Sequence, residues 1–280
     1  MSSTTDPKGI QRPTAQTTAG GEDRQDAMRR YRIQFIAWCI GLIVFIITCF
    51  IVHGHPKPYP IDLTMTHAIQ GFQLPAFITA LLIFPSTLND PLPSEIALGT
   101  WLTFMLVMAL IFKLRGKSPL TWLQSVVFLV VTVMSSAGLN VLADDLVGRP
   151  RPNPKTDHIH VAGAIVPFPT YPSGHTEHDI AYYGFLLYLS FLRPVREWRY
   201  RWFLLPLQIY AVYDILVIGY SRILEGDHWF TDVLGGYLEG AVYLFFFIFL
   251  YRWVTSMLAK RRAAKEGHPV DNKKATLQVQ

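Results

Sequence analysis

Three short clusters in this chain hold the residue types that phosphoryl chemistry needs: Arg149-Pro150-Arg151-Pro152, then Pro172-Ser173-Gly174-His175, then Ser221-Arg222 followed by His228 and Asp232. Guanidiniums hold phosphoryl oxygens by charge-assisted, often bidentate bonds, and imidazoles act as nucleophiles or proton carriers near neutral pH. His228 and Asp232 stand at i, i+4, so on a helix they share one face about 6 Å apart along the axis, where a carboxylate can orient the ring. Ser173 reads as an N-cap, with Gly174 and His175 opening a helix whose unpaired N–H groups and dipole favour an anion. Gly174 leaves room for an oxyanion to approach. Asp227 reads as a cap for the helix after His228. The prolines beside Arg149 and Arg151 hold that stretch extended, so both arginines read as stiff phosphate clamps.

Taken singly, each cluster has a plainer reading: a capped helix with an interfacial histidine, a surface ion-pair network, or arginines anchored to anionic headgroups. Their placement argues otherwise, because each sits where a long apolar segment meets polar sequence.

Those segments set the architecture. Hydrophobic residues make up 51% of the chain and charged residues 16%, and the apolar residues come in runs. This pattern predicts an all-α integral membrane bundle of six transmembrane helices, near 33–53, 95–113, 119–142, 175–192, 202–222 and 229–254. Residues 73–86 are shorter and interrupted by Pro75 and Pro85, so they read as a half-span or interfacial piece, with an amphipathic helix expected near Ile61 to Phe72. The organisation expected is a disordered cytoplasmic tail over 1–28, a membrane domain over 29–258 with an extracytoplasmic segment at 54–94, and a basic cytoplasmic tail over 259–280. Arg29, Arg30, Arg32, Lys113, Arg115, Lys117, Arg193, Arg196, Arg199, Arg201, Lys260, Arg261 and Arg262 flank the spans on one side. By the positive-inside rule that side is the cytoplasm, which puts both termini there and all three clusters on the opposite face. Cys39 and Cys49 lie about 15 Å apart along one predicted helix and cannot pair with each other. No spacing suggests a metal site, and nothing points to nucleic acid. No paired acids are evident deep in the predicted spans, which weighs against a transporter.

The clusters resemble the type 2 phosphatidic acid phosphatase family, integral-membrane branch, whose superfamily also holds vanadium haloperoxidases. Its pattern reads Lys-x6-Arg-Pro, Pro-Ser-Gly-His and Ser-Arg-x5-His-x3-Asp; the second and third parts match throughout, and the likeness covers about 95 to 254. The resemblance implies His228 as a nucleophile forming a phosphohistidine, Asp232 as its orienting partner and His175 as the acid for the leaving group. It further implies Arg151 and Arg222 on the phosphoryl oxygens, with donors from Ser173 and Gly174. It implies no metal and no other cofactor. One departure stands out: counting back from Arg151 to the family's lysine reaches Asp144, expected to pair with Arg149 or Arg151 and tune specificity, with Lys57 or Lys155 as substitutes in space. The function implied is hydrolysis of a lipid phosphomonoester or diphosphate, isoprenoid or glycerolipid. The alternatives are phosphoryl transfer to an acceptor alcohol, or a lipid-phosphate-binding scaffold with impaired catalysis. The partners expected are that lipid phosphate substrate and the surrounding membrane lipids. Phe168, Tyr171, Trp229 and Phe230 are candidates to line the lipid entry or to anchor the interface.

Overall fold

The structure, a computed structural model, describes residues 15–162 and 167–265; expected tail residues 1–14 and 266–280 lie outside them. All regular structure among the described residues is helical: α1 (Ala15–Gly54), α2 (Pro60–Gly71), α3 (Ala76–Leu88), α4 (Pro91–Leu114), α5 (Leu120–Val147), the single turn α6 (Pro154–Asp157), α7 (Gly174–Ser190), the single turn α8 (Arg193–Arg196), α9 (Leu205–Leu224, entered through a 3-10 turn) and α10 (Phe230–Lys265). The helical content agrees with the predicted class. Helix α1 begins at Ala15, ahead of the boundary expected near 28, and α10 runs past 258 to Lys265.

Among the described residues, five stretches are long and apolar enough to cross a bilayer: Met28–Gly54, Pro91–Leu114, Leu120–Val147, Arg201–Leu224 and Phe230–Ala264. The chain is therefore a multi-pass membrane protein. Helix α7, expected as a sixth span, has 17 residues and falls short of that length. Most of its side chains are buried, and it packs against α5, α9 and α10. A helix enclosed by protein is relieved of the need to be apolar on every side.

The chain divides into two units, Met1–Ile43 and Val44–Gln280. The first carries an exposed apolar run that includes Ile33, Phe35, Ile36, Ile40 and Ile43, as lipid-facing helix requires. In the second, one core joins Met105 and Met108 of α4, Trp122 and Leu129 of α5, Tyr182 and Phe185 of α7, Ala211 of α9 and Tyr251 of α10. Small residues let α10 lie close on α7: a Cβ on Gly236 would come 2.5 Å from the Ser173 carbonyl oxygen, and one on Gly240 2.8 Å from that of Glu177. The apolar piece expected at 73–86 is α3, 13 residues packed on α9 and α4. The expected amphipathic helix is α2, which turns Asp62 and Thr66 inward and packs on α9 and α10.

The expectation of no paired acids inside the spans is wrong. Asn89 Nδ2 donates to Asp179 Oδ2 at 2.8 Å and to Asp214 Oδ1 at 3.3 Å, and all three side chains are buried. The two carboxylates belong to separate helices, so the pair exists only once α7 and α9 dock.

Candidate active site

Helix α5 ends on Gly148, which adopts φ 66°, a left-handed conformation that glycine takes without strain. The chain leaves it as the extended Arg149–Pro152 segment, and the Thr170 N–H donates to the Arg149 carbonyl at 2.9 Å, bringing the first cluster beside the second. The Ser173 N–H donates to the Asp232 carbonyl at 3.0 Å, joining the second cluster to the third. Gly226 makes the turn before His228 with φ 75°, and a Cβ there would sit 2.1 Å from the His160 carbonyl oxygen. The three clusters thus meet through backbone contacts, as their placement along the sequence predicts.

His228 is buried, and its Nδ1 lies 2.9 Å from the Thr170 carbonyl oxygen and 2.9 Å from the Thr170 hydroxyl. Asp232 does not reach the ring directly, since its Oδ2 is 4.0 Å from Nδ1. Thr170 bridges the gap by donating its hydroxyl to that Oδ2 at 2.9 Å. One proton arrangement satisfies every contact: Nδ1–H donates to the carbonyl and to the hydroxyl oxygen of Thr170, the hydroxyl donates to Asp232, and Nε2 keeps its lone pair. Burial, with the charges of Arg151, Arg222 and His175 nearby, holds the His228 imidazole well below the ordinary histidine range. Burial and those charges thus favour the neutral ring; the charges come from motif residues, whereas the direct contacts come from Thr170, which no motif names.

Arg149 departs from the clamp expected of it. Its side chain is fully buried: Nη1 is paired with Asp232 and donates to Thr231 Oγ1 at 2.7 Å, Nη2 donates to Asp62 at 2.6 Å, and the guanidinium lies over the Tyr59 ring at 5.4 Å. An extended backbone leaves each side chain free to face inward, and two carboxylates draw this one in. Arg151 is half-buried, donating to the carbonyls of Phe168 at 3.1 Å and Asp227 at 3.0 Å. Arg222 is ion-paired with Asp227, donates to Ser86 Oγ and lies 3.6 Å from Glu225. Asp227 is thus engaged by Arg222. The first turn of α10 is capped instead by Asp232 on the Trp229 N–H at 2.8 Å and by Asp62 on the Thr231 N–H at 2.8 Å.

Ser173 is buried at the N-cap of α7, and its hydroxyl accepts from Thr176 at 3.0 Å. The small size of Gly174 is needed by α5, because a Cβ there would meet Asn140 Oδ1 at 2.7 Å. His175 is half-buried, one residue inside the helix. His178 reaches Ser94 at 3.5 Å, and Asp179 accepts from Asn89. Asp144 is half-buried with one carboxylate oxygen sealed and unpaired; neither Arg149 nor Arg151 forms an ion pair with it. Lys57 and Lys155 are exposed and make no side-chain contact with the site. Tyr171 and Trp229 are core residues, while Phe168 is exposed. Among the described residues, no group of three or more His, Cys, Asp or Glu side chains is placed to hold a metal ion. Sequence reasoning missed Thr170 and Asp62. An aspartate inside an amphipathic helix was the available signal for Asp62, whereas a threonine in a loop gives none.

The PAP2 superfamily profile matches residues 125–256. A probable diacylglycerol pyrophosphate phosphatase of Schizosaccharomyces pombe is 30% identical over 184 aligned positions, which cover 56% of this chain and 63% of that protein. The match therefore spans a little under two thirds of that relative's length. The fold is similar to the crystal structure of a transmembrane PAP2-type phosphatidylglycerolphosphate phosphatase from Bacillus subtilis, with a TM-score of 0.53 and 17% identity, covering 73% of this chain and 92% of that one. The profile's match takes in the stretch that carries all three clusters, and over residues 125–256 the chain is similar to the PAP2 superfamily.

Proposed function

We propose that the protein is a lipid phosphate phosphatase working through a phosphohistidine. The observation that carries this reading is His228 with Nδ1 occupied by Thr170 and Nε2 making no hydrogen bond among the described residues, in a buried setting that disfavours the imidazolium. The His228 Nε2 lone pair attacks phosphorus as the ester or anhydride P–O bond breaks, and His175 gives its proton to the leaving oxygen. Water, deprotonated by His175, then attacks the phosphohistidine; the P–N bond breaks and inorganic phosphate leaves. Arg151, Arg222 and the free N–H groups of the first turn of α7 stabilise the phosphoryl oxygens. Arg149 serves as a positioning group. None of these steps calls for a metal. Where an alcohol takes the place of water, the same intermediate makes a phosphotransferase.

Helix α7 is the sixth crossing in this reading: 17 residues span about 25 Å, close to the hydrocarbon thickness. The cationic loops at the far ends of the spans favour a site on the non-cytoplasmic face, with both tails in the cytoplasm. Exposed apolar side chains near this end, Phe72, Phe77 and Phe168, suit a substrate whose tail stays in lipid.

The test is phosphate release by purified protein across lipid phosphates and diphosphates, including diacylglycerol pyrophosphate, phosphatidylglycerolphosphate, phosphatidate and isoprenoid diphosphates. Release from at least one is expected; binding of one without release from any would favour the scaffold. Asp144, in the family's lysine position, tunes headgroup choice, so Asp144→Lys should reorder the panel. An unchanged order and rate would remove that role. Thr170→Val, close to isosteric, takes away the hydroxyl bridge but not the carbonyl, and should lower kcat about 10- to 100-fold with little change in KM. An unchanged kcat would show that Asp232 does not act through Thr170.

A further inference from the structure

We infer that Asp62, on a helix outside the three-part motif, is a positioning residue for the nucleophile, closing a buried chain that runs Asp62, Arg149, Asp232, Thr170, His228. The inference rests on the phosphohistidine reading. Asp62 is fully buried, and a sealed carboxylate is costly unless its lone pairs are met by donors or cations. Here they are: Oδ2 accepts from Arg149 Nη2 at 2.6 Å and from the Tyr59 N–H at 2.9 Å, and Oδ1 accepts from the Thr231 N–H at 2.8 Å.

The division between the two oxygens gives Asp62 its effect at a distance. Oδ1 fixes the backbone one residue ahead of Asp232. Oδ2 holds one end of a guanidinium whose other end is paired with Asp232. With Arg149 shared between two carboxylates, Asp232 keeps Oδ1 on the arginine and Oδ2 for Thr170 and the Trp229 N–H. Without the Asp62 charge the guanidinium is free to take both Asp232 oxygens in a fork, which its geometry favours. That would draw Oδ2 off the Thr170 hydroxyl. The hydroxyl would then be free to donate to His228 Nδ1, which stabilises the tautomer whose lone pair faces the wrong way.

A purely structural role is the competing account, since Asp62 also pins α2 to the protein. Gln70 on the same helix separates the two. Its amide donates to the His160 carbonyl at 2.7 Å and the Leu224 carbonyl at 3.1 Å, and accepts from the His160 N–H at 2.9 Å, with no link to the His228 chain. Loosening α2 there tests docking alone.

The experiment compares full-length wild type, Asp62→Asn, Asp62→Glu, Gln70→Ala and His228→Ala by phosphate release, thermal stability and ¹⁵N-histidine NMR. Asp62→Asn should lower kcat about 10- to 100-fold with KM within about threefold, the range for partners that orient a functional histidine. Its His228 signals should pass from a single Nδ1–H tautomer to a mixture, and Asp62→Glu should recover part of both. Gln70→Ala should lower the melting temperature while leaving tautomer and kcat as in wild type. The inference is overturned where Asp62→Asn keeps a single tautomer, or where Gln70→Ala disturbs it equally. The NMR arm needs no turnover. A wild type that releases no phosphate, or a His228→Ala protein as active as wild type, sinks the phosphohistidine reading while the tautomer comparison still decides the role of Asp62.

Discussion

His228→Ala is expected to lower phosphate release by about 10⁴-fold or more, the loss typical when a nucleophile is removed and only binding and charge stabilisation remain. In wild type, brief incubation with a ³²P-labelled substrate should leave an acid-labile, base-stable phosphoenzyme, and the alanine protein should trap none. Full activity without His228 would require water to attack directly, and the roles given to Thr170 and Asp62 would then lose their purpose. The same imidazole sets an expectation for pH. Burial and the Arg151 and Arg222 charges hold its folded pKa well below the free value, near 6.5 in an unfolded chain. The proposed nucleophile therefore stays unprotonated as pH falls through about 6.5, so any acid limb of kcat/KM near that value comes from another group and should persist in variants that change only His228's surroundings. The sign for stability is opposite. Below about pH 6.5 the unfolded chain binds a proton at this position that the folded protein refuses, so the contribution is present above 6.5 and lost as pH falls. Melting temperature should thus drop less between about pH 7 and about pH 5 in His228→Ala than in wild type. An equal drop would mean the ring is not held neutral.

The sequence made some parts of this molecule legible and hid others for physical reasons. Runs of apolar residues announce lipid-facing helices because every side chain in contact with acyl chains must be apolar. That rule weakens for α7, where protein replaces lipid as solvent and Glu177 and Asp179 are tolerated, so apolarity alone marks it less clearly than α5. Cluster spacing led to the expectation that His228, His175, Arg151 and Arg222 gather, and the charges of the other three do act on the His228 ring. It could not reveal which way a side chain turns from an extended segment. Arg149 and Arg151 look alike in sequence, yet one is sealed between Asp62 and Asp232 and the other faces the site. The i, i+4 rule placed Asp232 near the ring but carried no information about a threonine arriving from elsewhere in the chain. Asp62 lay beyond reach for a related reason: its partners are 87 and 169 positions away, and only the docking of α2 brings them together.

Arg222 and Asp227 should give opposite effects when each is neutralised. Arg222 is buried and ion-paired with Asp227, while Ser86 both receives its hydrogen bond and donates to Glu225 Oε2 at 2.5 Å. Ser221 adds a second hydroxyl on that carboxylate at 3.1 Å. Glu225 is thereby fixed, and in the proposed reaction Asp227 is the partner that an incoming phosphoryl group would replace. If Arg222 is the transition-state donor proposed above, Arg222→Ala should lower kcat/KM about 10²- to 10³-fold, with Arg222→Lys recovering little because an ammonium cannot reproduce the fork. Asp227→Asn removes the competitor, so inorganic phosphate should inhibit more strongly, with Ki falling about tenfold for a change of about 1.4 kcal/mol. Turnover need not rise with it. A site that holds the product harder releases it more slowly, and where release limits the cycle kcat falls as KM falls. The Asp227 carboxylate would then act on both sides of the reaction, excluding weakly bound anions before it and displacing phosphate after it. Equal phosphate inhibition in wild type and Asp227→Asn would show that the ion pair opens before the ligand arrives and exerts no such control.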